Sequence, residues 1–134
     1  TVERLTDLHR TGNAVLTLLS CDIDEPASYG RILRKPDGSV AGNVEAKDAT
    51  PEQLAVTEIN AGIYLFRSDF LFDRLKKVDN DNAQNEYYLT DLINMAVANN
   101  ETVLALKESV PDEIMGANSV DDIKLIEAAQ ATKK

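Results

Sequence analysis

Four short stretches carry polar groups in arrangements that ordinary chain architecture explains only in part. In Tyr29-Gly30-Arg31 a glycine begins a segment just after Pro26; it either relaxes a turn or lets a ligand approach bare backbone. Val44-Glu45-Ala46-Lys47-Asp48-Ala49 alternates charges, which usually marks a solvated run. Glu58-Ile59-Asn60-Ala61-Gly62 sets an asparagine among apolar and small residues. If buried, Asn60 needs partners for donor and acceptor alike, and a polar ligand can supply both. Asn85-Glu86-Tyr87-Tyr88-Leu89-Thr90-Asp91 leads into a helical pattern. Capping accounts for Asn85 and Glu86, but not for two adjacent tyrosines and a threonine. Taken singly, each stretch is met by structure alone.

Other chemistries lack their residues. There is no G-x-x-x-x-G-K-[ST], G-x-G-x-x-G or H-E-x-x-H, and the six glycines are scattered, so no phosphate-cradling loop is present in these 134 residues. The single His9 excludes a histidine-rich metal site, and its polar neighbourhood predicts a solvated side chain. The single Cys21 excludes an internal disulfide and a cysteine-built metal cage. It lies in an apolar run and reads as a small core residue rather than a nucleophile.

The elements that must position these stretches alternate between helix and strand. Val2, Leu5 and Leu8 fall at helical spacing, and Gly12-Asn13 ends that helix. The dense apolar run Ala14 to Ile23 suits a strand buried on both faces. Tyr29 to Arg34 and Ser39 to Glu45 form a hairpin across Lys35-Pro36-Asp37-Gly38, where proline presets one dihedral and glycine supplies positive φ. Thr50-Pro51-Glu52-Gln53 combines a cap, a first-turn proline and a capping-box glutamine, predicting a helix start. Glu58 to Phe66 alternates as a strand with Ile59, Ile63 and Leu65 apolar, and Ser68 or Asp69 opens a helix. A polar loop over Asn80 to Asn85 precedes a helical stripe of Leu89, Leu92, Ile93 and Ala96. Val103 to Leu106 is a short strand, and Ser119 starts a last helix. The order predicts an α/β layer with one antiparallel hairpin, a single domain over 1–134 with no internal boundary.

Composition bounds the partners. With 43% hydrophobic and 28% charged residues the chain is globular in type. A net charge of -9 disfavours phosphate backbones, so nucleic acid is not an expected partner. No apolar run approaches the ~20 residues of a membrane span. The chain begins with Thr1 rather than methionine, which suggests processing or excision from something longer.

Read together and in order, the four stretches with Asn82-Ala83-Gln84 and Gly116-Ala117-Asn118 resemble the sugar-1-phosphate nucleotidyltransferase family. Within it they are most similar to the C-terminal part of the uridylyltransferase domains that act on N-acetylglucosamine 1-phosphate and precede an acetyltransferase domain. The resemblance runs from Thr1 into the last helix. It implies a partial Rossmann-like α/β fold and a cytoplasmic enzyme that joins UTP to N-acetylglucosamine 1-phosphate, giving UDP-N-acetylglucosamine, a cell-wall precursor, and pyrophosphate. By the same resemblance Gly30, Glu45, Asn60, Tyr88 and Thr90 bind the sugar, and Asn118 ligates Mg²⁺ through its side-chain oxygen. No catalytic residue falls in this chain, because the family's glycine-rich loop, lysine and metal-binding aspartate match positions upstream of Thr1. Ala61 stands where some members have threonine, and Asn85 where glycine is frequent. Relatives acting on glucose 1-phosphate with UTP or dTTP, and a non-catalytic sugar-nucleotide-binding module, stay open as alternatives. Without the upstream strands the Val15–Leu19 run is expected to have an uncovered edge or face, and a homodimer or other self-association is expected through it.

Overall fold

The computed structural model describes residues 1–109 and Ile123. The predicted last helix from Ser119, apart from Ile123, and the Gly116-Ala117-Asn118 motif lie outside the described residues. The elements are α1 (Val2–Thr11), β1 (Leu16–Asp22), β2 (Arg31–Arg34), β3 (Val40–Val44), α2 (Pro51–Leu54), β4 (Glu58–Phe66), α3 (Ser68–Arg74), α4 (Asp91–Ala98) and β5 (Val103–Glu108). A turn of 3₁₀ helix, Leu75–Lys77, follows α3. The strands form one sheet in the order β3-β2-β4-β1-β5. The β1–β5 pair is parallel and the others are antiparallel.

The apolar run of β1 is explained by its place. Leu16 and Leu18 pack with Ile32, Phe70, Leu92, Ile93 and Ala96 on one face of the sheet. Leu19 and Cys21 pack with Leu5 of α1 and Ile59 on the other. A strand covered on both faces has no polar side to show. Its backbone is paired on both sides as well, by β4 and β5, so the expected uncovered edge at Val15–Leu19 does not exist and gives no ground for a homodimer through that run.

Local signals act as expected in the hairpin, where Gly38 takes φ +84, and at Thr50, whose hydroxyl accepts from Gln53 N–H while Gln53 answers with a bond to Thr50 N–H. That capping box opens a helix of only four residues, Pro51–Leu54. Three expectations are corrected. His9 is half-buried rather than solvated, its Nδ1 2.8 Å from the hydroxyl of the fully buried Thr17. It sits one helical turn beyond Leu5, on the face of α1 that meets the sheet. Leu89 precedes α4 and is 43% exposed, so the buried stripe is Leu92, Ile93 and Ala96 alone. Ile63, which the alternating strand pattern sets on the same face as Ile59 and Leu65, is 41% exposed.

The last correction has a cause that matters for the site. Leu18 pairs with Tyr64 and Ser20 with Asn60, so the single Leu19 faces three residues of β4, Ala61 to Ile63. This bulge pushes Ile63 out of the layer and turns at Gly62, whose φ of +73 suits a residue without Cβ. Beyond the bulge Leu65 returns to the face it shares with Ile59.

Candidate functional site

Four chain segments converge beside the β4 bulge and enclose an open cavity of about 500 Å³. They are the loop entering β2, the turn leaving β3, the bulge itself, and the segment that leads into α4. The entering loop is held from behind by Arg31, whose guanidinium donates to the carbonyls of Ala27 and Tyr29. The segment before α4 is held against the β3 turn, where Asp48 accepts from Ala83 N–H at 2.9 Å and Lys47 pairs with Gln84. Asn85 there has φ +54, a conformation that glycine and asparagine tolerate best.

Gly30, Glu45, Asn60 and Thr90, each singled out in the sequence, all line this cavity. The Gly30 carbonyl accepts from Asn60 N–H at 2.9 Å, fixing β2 to β4 beside the bulge. A Cβ at Gly30 would stand 3.0 Å from Asn43 Oδ1 and 3.2 Å from Glu45 Oε1. A side chain at position 30 would therefore crowd the protein's own polar groups, and Asn43 and Glu45 would have to shift by a few tenths of an ångström to admit it. Glu45 Oε1 accepts from Thr90 Oγ1 at 2.8 Å and from Asn43 Nδ2 at 3.0 Å. Both bonds land on one oxygen, so Oε2 keeps its accepting capacity for a ligand.

Asn60 is 7% exposed. Its Nδ2 donates to Asn43 Oδ1 at 3.1 Å, and its Oδ1 accepts from Gly62 N–H at 3.0 Å and from the Tyr64 hydroxyl at 3.1 Å. The partners the sequence left open are thus largely internal, and one amide hydrogen of Asn60 is left over. Burial pushes the Tyr64 hydroxyl above its ordinary range, and the Glu45 charge adds to this, so Tyr64 stays a neutral donor.

Tyr88 takes a different place. Its hydroxyl accepts from Gln84 Nε2 at 2.7 Å, and it lines an adjoining cavity of about 230 Å³ that shares Glu45 and Thr90 as a common wall. Asp48, Asp81 and Asp91 make that second cavity acidic. Burial raises the Asp91 carboxyl above its usual range, and the charges of Asp79, Glu45 and Asp48 raise it further.

Asn118, the ligand the resemblance assigns to Mg²⁺, lies outside the described residues. Among the described residues no group of three or more His, Cys, Asp or Glu side chains could hold a metal ion. Sequence reading missed Asn43, Tyr64, Gln84 and Asn94, which supply most of the bonds behind the cavity. The available signal was weak: Asn43 is a polar residue between Gly42 and Val44 in a short strand.

Residues 1–110 match the family model described as nucleotidyl transferase. A bifunctional protein GlmU from Pelobacter propionicus is 46% identical, over 97% of this chain and 28% of the relative. Its counterpart from Methylococcus capsulatus is 48% identical, over 88% of this chain and 25% of the relative. The chain therefore spans little more than a quarter of the length of these relatives, within their N-terminal part. Among solved structures, a UDP-glucose pyrophosphorylase complexed with UDP-glucose superposes with a TM-score of 0.72 at 17% identity, over 99% of this chain and 50% of that one. This likeness shows that the α/β sheet is a Rossmann-like nucleotidyltransferase fold.

Proposed function

Because the chain belongs to the nucleotidyl transferase family, we propose that it forms the sugar-binding, C-terminal portion of a uridylyltransferase domain that makes UDP-N-acetylglucosamine and pyrophosphate from UTP and N-acetylglucosamine 1-phosphate. The observation that carries this reading is the convergence of Gly30, Glu45, Asn60 and Thr90, from four separate segments, on one cavity beside the β4 bulge.

The donor and acceptor set suits a sugar. Glu45 Oε2 accepts from ring hydroxyls, while the remaining Asn60 N–H meets the carbonyl of an N-acetyl group or a ribose oxygen. Thr90 holds Glu45 in place, and Tyr88 closes the neighbouring wall. In-line attack of a sugar phosphate on an α-phosphorus depends on orientation and charge stabilisation more than on an acid–base residue. The part supplied here is orientation of the sugar. Mg²⁺, with Asn118 among its ligands, and a cytoplasmic location remain expectations of the family resemblance.

Titration of the chain with UDP-N-acetylglucosamine, followed by NMR, tests the reading. Shifts confined to the surroundings of Gly30, Glu45, Asn60 and Tyr88 are expected, with weaker effects from UDP-glucose and dTDP-glucose. Equal responses to all three would favour a glucose 1-phosphate enzyme. No response to any would favour an interaction module that keeps the fold.

A further inference from the structure

Between Glu45 and Asn60 stands a residue that the pocket reading leaves unused. Asn43, only 6% exposed, lies on β3 opposite Ile32. Its Nδ2 donates to Glu45 Oε1 at 3.0 Å, and its Oδ1 accepts from Asn60 Nδ2 at 3.1 Å. Neither amide can turn over. A carboxylate only accepts, so Asn43 presents its NH₂ to Glu45 and its oxygen to Asn60. Asn60 answers with its own NH₂, which leaves its oxygen facing Gly62 N–H, a group that only donates. The polarity of the row is pinned at both ends.

A second amide fixes the strand that carries Asn43. Asn94 of α4 accepts from Asn43 N–H at 2.9 Å and donates to the Asn43 carbonyl at 3.0 Å, pairing with the outer strand as another strand would. Gly42 leaves room for this contact, since a Cβ there would stand 2.7 Å from Asn94 Oδ1.

We propose that Asn43 is a positioning residue of the sugar pocket, passing the acceptor character of Glu45 on to Asn60 so that Asn60 offers an N–H and Glu45 an oxygen to the ligand. The proposal rests on the sugar-binding reading above. It makes the amide at position 43 a determinant of which ligand groups fit: a carbonyl acceptor against Asn60 and hydroxyl donors against Glu45.

The test uses the full chain and three substitutions. Asn43→Ala removes both bonds, Asn43→Asp keeps the acceptor for Asn60 but sets a carboxylate against Glu45, and Asn94→Ala loosens β3 from an exposed position on α4. In the unliganded chain, the side-chain NH₂ resonances of Asn60 are expected to move in N43A and N43D, and less in N94A. UDP-N-acetylglucosamine is expected to bind N43A about tenfold more weakly, the factor equivalent to one lost hydrogen bond to a charged group. N43D is expected to lose more affinity at pH 8 than at pH 5, because acid protonates the introduced carboxyl and relieves its repulsion with Glu45. The other ionisable groups around this spot, Lys47, Asp48, Tyr64, Asp81, Tyr88 and Asp91, are common to both proteins, so the difference isolates the new pair. Urea unfolding at both pH values is read alongside, because a residue that only supported the fold would lose affinity only in step with stability. Unmoved Asn60 resonances in N43A, or an N43D deficit equal at both pH values, overturn the proposal. If the unaltered chain does not bind UDP-N-acetylglucosamine, the sugar-binding reading fails, while the Asn60 resonances still decide whether Asn43 orients it.

Discussion

Thr90 Oγ1 lies 2.8 Å from Glu45 Oε1, joining the residue before α4 to the turn after β3 across 45 positions of sequence. The hydroxyl donates to a carboxylate that also takes the Asn43 amide, so one oxygen of Glu45 is committed and the other is presented. Thr90→Val removes that donor with little change in shape. Calorimetric titration with UDP-N-acetylglucosamine should show about a tenfold loss for T90V and near-full retention for T90S, as expected for one charge-assisted hydrogen bond. Equal affinities in the two variants would mean that Thr90 does not hold Glu45 for binding.

Glu58 anchors the start of β4. Burial alone would raise its carboxyl, but hydrogen bonds from Arg34 and Ser20, together with the Arg34 and Lys107 charges, outweigh burial and hold it below the usual range. A depressed folded value contributes stability above the unfolded value, and that contribution is lost as pH falls through the folded one. Glu58→Gln should therefore cost about 2 kcal/mol at pH 7, the scale of hydrogen bonds to a charged group. In urea unfolding across acid pH, the E58Q profile should also be flatter than that of the unaltered chain.

Asp91 has the reverse sign. Its carboxyl is raised, first by burial and then by Asp79, Glu45 and Asp48, so the fold favours the neutral form. Stability from this group is full below the unfolded value and declines as pH rises through the folded one. Asp91→Asn should raise the melting temperature at pH 7, and the gain should vanish once pH falls well below the carboxylate range. A lower melting temperature at pH 7 would show that the charge serves the start of α4 more than it suffers from its neighbours.

Gly62 offers a cleaner backbone test. Nothing lies within 4 Å of a Cβ added there, but φ is +73. Gly62→Ala should cost about 1 kcal/mol through the left-handed conformation alone. Because Asn60 Oδ1 accepts from Gly62 N–H, the substitution should also shift the Asn60 resonances. Urea unfolding and NMR read the two effects separately.

The 134 residues hold no glycine-rich phosphate loop. Purified chain supplied with UTP, Mg²⁺ and N-acetylglucosamine 1-phosphate should release no pyrophosphate above background. Formation of UDP-N-acetylglucosamine would show that the described pocket suffices for transfer.

What the residues determine by themselves is local. Pro36-Asp37-Gly38 sets a turn, Thr50 and Gln53 set a capping box, and the unbroken apolar run of β1 requires cover on both faces. Dihedral preference and hydrophobic pattern act over a few residues and are readable there. Four pocket residues were legible too, through the ordered motifs of a family resemblance. Only the tertiary structure places β1 between β4 and β5 instead of at an open edge, lifts Ile63 out at a bulge, and sets a half-buried His9 against Thr17. The same holds for the Asn94–Asn43–Asn60 row, in which Asn94 reaches Asn43 across 51 positions. Which amide end meets which partner depends on groups that only strand pairing and helix docking bring together, and no local preference encodes that meeting.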